Sequence, residues 1–221
     1  MEKIIQGLSE WPFLTELPQE CCGFIFEKQL KESDDKYLIF RYYNEEWKRS
    51  FTVLYDGATK EFLARIVVGL TEFCDICYIV GSLEQLEKVL QERLESTLSD
   101  LATFNIKHID CILREKMVIE WPFAQQLPKK VGEFSLFISP SAPVKAINGS
   151  YIIIDYCDFA SESNLIIYYN IFRDEFFGEI KIRRTPLMTA EFDAKMLNEL
   201  EEKITEKLVE TLESIGNMES I

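Results

Sequence analysis

Leucines step along two stretches of the chain at helical spacing. Leu83, Leu86, Leu90, Leu94, Leu98 and Leu101 are separated by 3, 4, 4, 4 and 3 positions, and Leu197, Leu200, Ile204, Leu208, Leu212 and Ile215 repeat the same steps. Such spacing puts one apolar stripe on an amphipathic helix. It predicts helices over 83–101 and about 194–215, with Ser82 and Gln85 as a capping box and Gly216 as the stop of the second. Ahead of each helix, β-branched and aromatic runs alternate with turn residues, the pattern of strands. The predicted strands are Gly23–Leu30, Tyr37–Tyr43, Ser50–Tyr55 and Phe62–Leu70, then Glu133–Ile138, Tyr151–Tyr156, Asn164–Tyr169 and Glu175–Arg183. Asp56-Gly57 reads as a type I′ hairpin turn. Connections this short make neighbouring strands antiparallel.

The two halves carry one pattern. Glu10-Trp11-Pro12-Phe13 recurs as Glu120-Trp121-Pro122-Phe123, and each is followed by Leu-Pro, at Leu17-Pro18 and Leu127-Pro128. From residue 36 to 101 a constant offset of 114 gives 15 identities in 66 positions, among them Tyr37/Tyr151, Tyr42/Tyr156, Tyr55/Tyr169 and Leu94/Leu208. The offset is 110 before that, so four residues are inserted between the regions of 31–35 and 139–150, where a hairpin loop absorbs extra length. The chain therefore reads as a tandem duplication of a (short helix or turn)-ββββ-α unit, repeat 1 at 1–105 and repeat 2 at 106–221. The expected fold class is α+β: two four-stranded antiparallel sheets, each covered on one face by its long helix and open to water on the other, in a pseudo-two-fold arrangement with a shared core. The join, 101–120, is apolar and carries no Pro/Gly/Ser-rich linker.

Four strands followed by a helix, written twice, resembles the element order of the Whirly and PC4-like single-strand-binding proteins. The likeness is one of element order, and it implies single-stranded nucleic-acid binding as an alternative function. Charge departs from it. Lys plus Arg number 24 against 38 Asp plus Glu, a net charge of −14, and phosphate binding draws its affinity from basic residues. Nucleic acid is the less expected partner.

Candidate chemistry is sparse. Cys74-Asp-Ile-Cys77 is the one cysteine pair with ligand or redox spacing; Cys21, Cys22, Cys111 and Cys157 are scattered. Apolar residues at the matching positions, Met188 for Cys74 and Val131 for Cys21, favour cysteines used as small hydrophobes. His108 is the only histidine and lies outside any nucleophile turn, so it reads as a surface or capping residue. No Gly-rich phosphate loop occurs. Glu199, Glu201, Glu202, Glu206 and Glu210 form the solvated side of a helix. Two features remain: basic residues near strand ends (Arg41 to Arg49 with Trp47 and Lys48, and Lys181, Arg183, Arg184), and tyrosines suited to an open sheet face as contact surface. No catalytic, cofactor-binding or metal residue is assigned. No apolar run reaches the length of a membrane span and the first residues lack a secretory leader, so a cytoplasmic setting is expected. The expected function is a non-enzymatic, acidic protein-interaction module, chaperone- or adaptor-like, whose partner is another protein, with self-association left open and no membrane.

Overall fold

The computed structural model describes residues 2–146 and 149–219; part of the insertion loop at 139–150 lies outside them. The fold is α+β with two antiparallel sheets, and the chain divides into two compact units, Met1–Thr103 and Phe104–Ile221.

Unit 1 runs α1 (Glu2–Ser9), α2 (Phe13–Glu16), β1 (Glu20–Cys21), β2 (Phe24–Ser33), β3 (Lys36–Asn44), β4 (Arg49–Asp56), β5 (Glu61–Val68), β6 (Thr71–Cys74), a 3-10 turn at Ile76–Tyr78, and α3 (Leu83–Ala102). Its six strands form a simple meander in chain order. Unit 2 runs α4 (Cys111–Glu115), a 3-10 turn at Pro122–Gln126, β7 (Lys130–Val131), β8 (Phe134–Ile138), β9 (Val144–Lys145), β10 (Ser150–Asp158), β11 (Ser163–Asn170), β12 (Glu175–Ile182), β13 (Thr185–Ala194) and α5 (Leu197–Glu219). Its strand order is β13-β12-β11-β10-β8-β7, with β9 pairing β10.

The eight expected strands are all present, but the sheets hold six and seven strands rather than four. Three of the extra strands, β1, β7 and β9, are two residues long, too short to leave a periodic signal. The long miss is β13, whose Pro186 reads as a strand breaker. At a sheet edge proline is tolerated because one row of N–H groups needs no partner.

Both long helices form where the leucine steps place them. Leu86, Leu90, Leu94 and Leu98 are buried in unit 1, and Leu200, Ile204, Leu208, Leu212 and Ile215 in unit 2. Ser82 Oγ accepts the Gln85 N–H at 3.3 Å, while the Gln85 side chain turns to the Gly81 N–H at 3.2 Å, so the reciprocal half of the box is shifted by one residue. Helix α5 starts at Leu197 and continues through Gly216 to Glu219. Glycine mid-helix weakens a helix without ending it.

The Asp56-Gly57 hairpin lies between the expected strands but is not a two-residue turn. Asp56 Oδ1 accepts from the Ala58 and Thr59 N–H groups, and Lys60, at φ 61°, supplies the left-handed residue. Asn170 does the same in unit 2, accepting from Phe172 and Arg173, with Asp174 at φ 53°. Matching details recur elsewhere. The bulge in β3 falls between Leu38 and Phe40 and that in β10 between Ile152 and Ile154. Tyr42 donates to the Pro18 carbonyl and Tyr156 to the Pro128 carbonyl, each at 2.7 Å. Trp11 donates its indole N–H to Glu87 on α3, and Trp121 donates to Glu201 on α5.

The expectation of one water-facing side fails for the central strands. Every residue of β10, and all of β11 but Asn170, is buried, and five consecutive residues of β4 are buried too. Uninterrupted burial means both faces of a strand are covered, since successive side chains point to opposite faces.

Candidate functional site

The side chains singled out from the sequence are mostly used internally. Tyr42, Tyr55, Tyr156 and Tyr169 are buried, so these tyrosines are core rather than contact surface. Several of the basic side chains at the strand ends are engaged within their own unit. Arg41 on β3 pairs with Glu27 directly across on β2 and lies over the Tyr43 ring. Arg49 donates to the Leu101 carbonyl at the end of α3, and burial lowers its pKa. Lys181 is 3.7 Å from Glu179, and Arg184 pairs with Glu162. Trp47 packs edge-on to Phe24 and closes over Gly23, whose missing side chain it requires: a Cβ there would sit 2.7 Å from the indole.

The cysteines divide differently from expectation. Only Cys157 is buried; Cys22, Cys77 and Cys111 are exposed, and Cys21 and Cys74 lie between. Small-hydrophobe packing therefore describes one of the six. Burial pushes the Cys74 thiol up, away from reactivity. Among the described residues no group of three or more His, Cys, Asp or Glu side chains could hold a metal ion. His108 is exposed on a 3-10 turn, 3.4 Å from the Asn105 side chain.

Sequence reasoning overlooked a buried polar pair. Asp155 on β10 and Asn164 on β11 are wholly buried, and the Asn164 amide donates to Asp155 Oδ1 at 2.9 Å. Asp155 Oδ2 and Asn164 Oδ1 have no hydrogen-bond partner among the described residues. Burial is the main cause that pushes the Asp155 carboxyl up to about 7, against the Asn164 hydrogen bond, which lowers it. The carboxyl can hold a proton at neutral pH, but its surroundings (Asn164, Cys157, Lys181 and Glu179) supply no reacting partner. An aspartate inside a run of isoleucines and tyrosines was the available signal.

What the described surface presents is the edge of the second sheet. Residues 183–188, Arg-Arg-Thr-Pro-Leu-Met, are all exposed, Leu187 by 50 % and Met188 by 78 %. Strand β13 pairs with β12 on one side only. Ile182 and Thr185 close a two-residue hairpin whose central residues, Arg183 and Arg184, have φ 49° and 65°. Positive φ at both positions marks a type I′ turn, normally built from Asn and Gly. The register runs Ile182/Thr185, Lys181/Pro186, Ile180/Leu187, Glu179/Met188 and Gly178/Thr189. The turn makes Ile182/Thr185 a hydrogen-bonded pair, and antiparallel pairs alternate. Pro186 and Met188 thus sit at the non-bonded pairs, where backbone groups point away from β12. Proline occupies a site at which no N–H is needed inside the sheet, and Met188 turns both its N–H and its carbonyl outward.

A shallow groove near the end of α5 is lined by Glu210, Glu213, Ser214, Asn217 and Met218. It has no pair of groups in acid–base or nucleophile–base relation. No helix is long and apolar enough to cross a membrane among the described residues. Comparison of the chain with protein-family models, curated proteins and solved structures finds no match.

Proposed function

We propose that this protein is a non-enzymatic, acidic interaction module, adaptor- or chaperone-like, which engages protein chains by strand addition along β13. The observation that carries this reading is the edge itself: an exposed segment at 183–188 with Leu187 and Met188 open to solvent and outward backbone groups at Pro186 and Met188. Main-chain pairing at an exposed edge gives affinity, and alternate side chains give selectivity. Support also comes from what the fold consumes, since Tyr42, Tyr55, Tyr156 and Tyr169 are packed in the core and Arg41, Arg49, Lys181 and Arg184 have partners within their own unit. The single-strand-binding alternative draws on Arg41, Arg49 and Arg184, each already committed to a carboxylate or a carbonyl.

Tandem duplication belongs to the same proposal. Matched hairpins, bulges and Trp–Glu and Tyr–Pro hydrogen bonds are its support. A cytoplasmic setting is part of it as well: the six cysteines are free thiols, the form that a reducing compartment maintains.

Photo-crosslinking tests the reading. With a benzophenone side chain placed at Leu187, irradiation in native lysate should give a discrete protein adduct, either with another polypeptide or with the protein itself. The same side chain at Ile76, exposed by 79 % on a turn of unit 1, should give none. Absence of any protein adduct at Leu187 would remove the proposal.

A further inference from the structure

We infer that Cys21 and Cys22, at the turn between β1 and β2, form a two-sulfur chelate for a thiophilic divalent ion of the zinc class.

The pair occupies a tight turn. Glu20 pairs with Ile25 and Cys21 with Phe24, which leaves Cys22 and Gly23 as the turn residues, at φ 51° and 82°. Left-handed backbone is strained for any residue that carries a side chain. The matching residues of unit 2 are Val131 and Gly132, with Gly132 at φ 56°. Unit 1 thus keeps a cysteine where the same hairpin is served by glycine. Cys22 is exposed and Cys21 partly so, which means that core packing does not account for the choice.

The separation of the sulfurs decides between the uses of two neighbouring thiols. The Cys21 thiol donates to the Cys22 sulfur at 3.8 Å. A disulfide needs its sulfurs about 2.05 Å apart on Cα atoms usually separated by about 4.4–6.8 Å. Adjacent residues joined by a trans peptide hold their Cα atoms at about 3.8 Å. The turn is also pinned against adjustment: Asn44 Nδ2 donates to the Gly23 carbonyl at 2.8 Å, and the Trp47 indole closes over Gly23. Chelation asks for no such movement. Two sulfurs each about 2.3 Å from one tetrahedral ion stand about 3.8 Å apart, which is the spacing the turn already provides.

The surrounding charge favours a cation. Burial, then the hydrogen bond and charge of Cys22 and the charge of Glu95 on α3, push the Cys21 thiol up to about 11. Cys22 Sγ lies 3.8 Å from the Glu95 carbonyl oxygen. Negative groups crowd a pair of bare thiolates here, and a positive ion between the sulfurs turns that repulsion into attraction. Thiolates select zinc-like ions over magnesium or calcium. Two sulfurs leave the other positions of a four-coordinate ion to solvent or an added ligand, so the ion is exchangeable rather than a structural staple.

Cobalt(II) is the probe, because sulfur-to-cobalt charge transfer absorbs only when thiolates are bound. The full reduced chain, titrated without oxygen, should bind one equivalent with that band, zinc should displace it, and binding should tighten as pH rises because the thiols must lose their protons. Cys21→Val with Cys22→Gly writes the unit 2 residues into unit 1; this variant should melt no lower than the native chain and lose the band. Cys21→Val alone should weaken binding about a hundredfold, the worth of a second arm. Cys77→Ser should leave the band intact. Absence of the band in the native chain overturns the inference, as does a band that survives Cys21→Val with Cys22→Gly. A band lost with Cys77→Ser would move the ion to the Cys74–Cys77 spacing and overturn it too. Mass spectrometry after exposure to a small-molecule disulfide in the presence of zinc supplies the last check: a Cys21–Cys22 disulfide would assign the pair to redox use and refute the chelate.

Discussion

The last strand of each sheet starts and finishes alike and differs in between. In unit 1 the chain leaves β5 at the pair Val68/Thr71 and returns to it at Phe62/Val80; in unit 2 it leaves β12 at Ile182/Thr185 and returns at Phe176/Ala194. These are matching positions at the constant spacing of 114. The anchor beneath each strand matches too: Tyr78, bonded to Thr97 of α3, and Phe192 are both fully buried. Between these fixed points unit 1 folds its chain into a short strand and a turn, tucking in Thr71 and Phe73. Unit 2 keeps it extended along β12 as far as Thr189, shifts register before Ala194, and leaves Thr185 and Leu187 exposed. Two hydrogen-bonded ends and one large anchor are enough to hold a sheet edge. The span between them is then free to be closed or left open to a partner.

Predictions follow from pressing on that contrast. The largest effects fall where the units agree. Leu94→Ala and Leu208→Ala, both buried mid-stripe, should each cost on the order of 2–5 kcal/mol in urea unfolding. A difference between them larger than about 2 kcal/mol would mean that the two helices are not docked in comparable cores.

At the edges the costs should separate. Phe73→Ala should destabilise by about 3 kcal/mol, as removal of a buried aromatic does. Its counterpart Leu187→Ala should stay within about 0.5 kcal/mol when measured on dilute protein. Equal losses at the two positions would abolish the distinction between a closed and an open edge.

The buried aspartate makes unit 2 differ from unit 1 in its response to pH. Asp155 has its carboxyl raised from 3.8 to about 7, whereas the matching residue in unit 1 is Arg41, half-buried and ion-paired. Below pH 3.8 Asp155 is protonated in both folded and unfolded chains and exacts no penalty. As pH rises toward 7 the unfolded chain ionises first, so stability falls, and above that the full penalty stands. Asp155→Asn should therefore flatten stability across this window and add on the order of 2 kcal/mol at pH 8. A variant that instead becomes steeper with pH would show that the carboxyl is charged in the folded state. Smaller again, Tyr42→Phe and Tyr156→Phe should each cost about 1–2 kcal/mol by stranding a proline carbonyl. Glu92→Ala and Glu206→Ala, on the polar helix sides, should lie within about 0.5 kcal/mol of neutral.

How far the sequence reveals these features depends on whether a feature is periodic. The leucine stripes were legible because burial of one helix face imposes a period of 3.6, and the eight main strands because they gather β-branched and aromatic residues into runs bounded by turn residues. Strand β13 was not, because at an edge the side chains are free of that demand: Thr185-Pro186-Leu187-Met188 has the composition of a turn. The Asp155–Asn164 pair escaped for another reason. Polar residues at strand positions read as solvent-facing, and only the burial of both sheet faces shows that they are interior. The same covering of both faces removed the open sheet surface that one covering helix per sheet suggested, and left the edge as the place to look.

The indole bonds described above give each unit a built-in optical probe. Trp11 and Trp121 are nearly buried, and each donates its N–H to a glutamate on the unit's own long helix, at 2.6 and 2.9 Å. When a helix leaves its sheet, the indole loses its carboxylate and meets water, and its emission shifts to the red. A chain with Trp47→Phe and Trp121→Phe would report on unit 1 alone, and one with Trp11→Phe and Trp47→Phe on unit 2. Recording both through a denaturant series separates one shared unfolding transition from two, with no label attached.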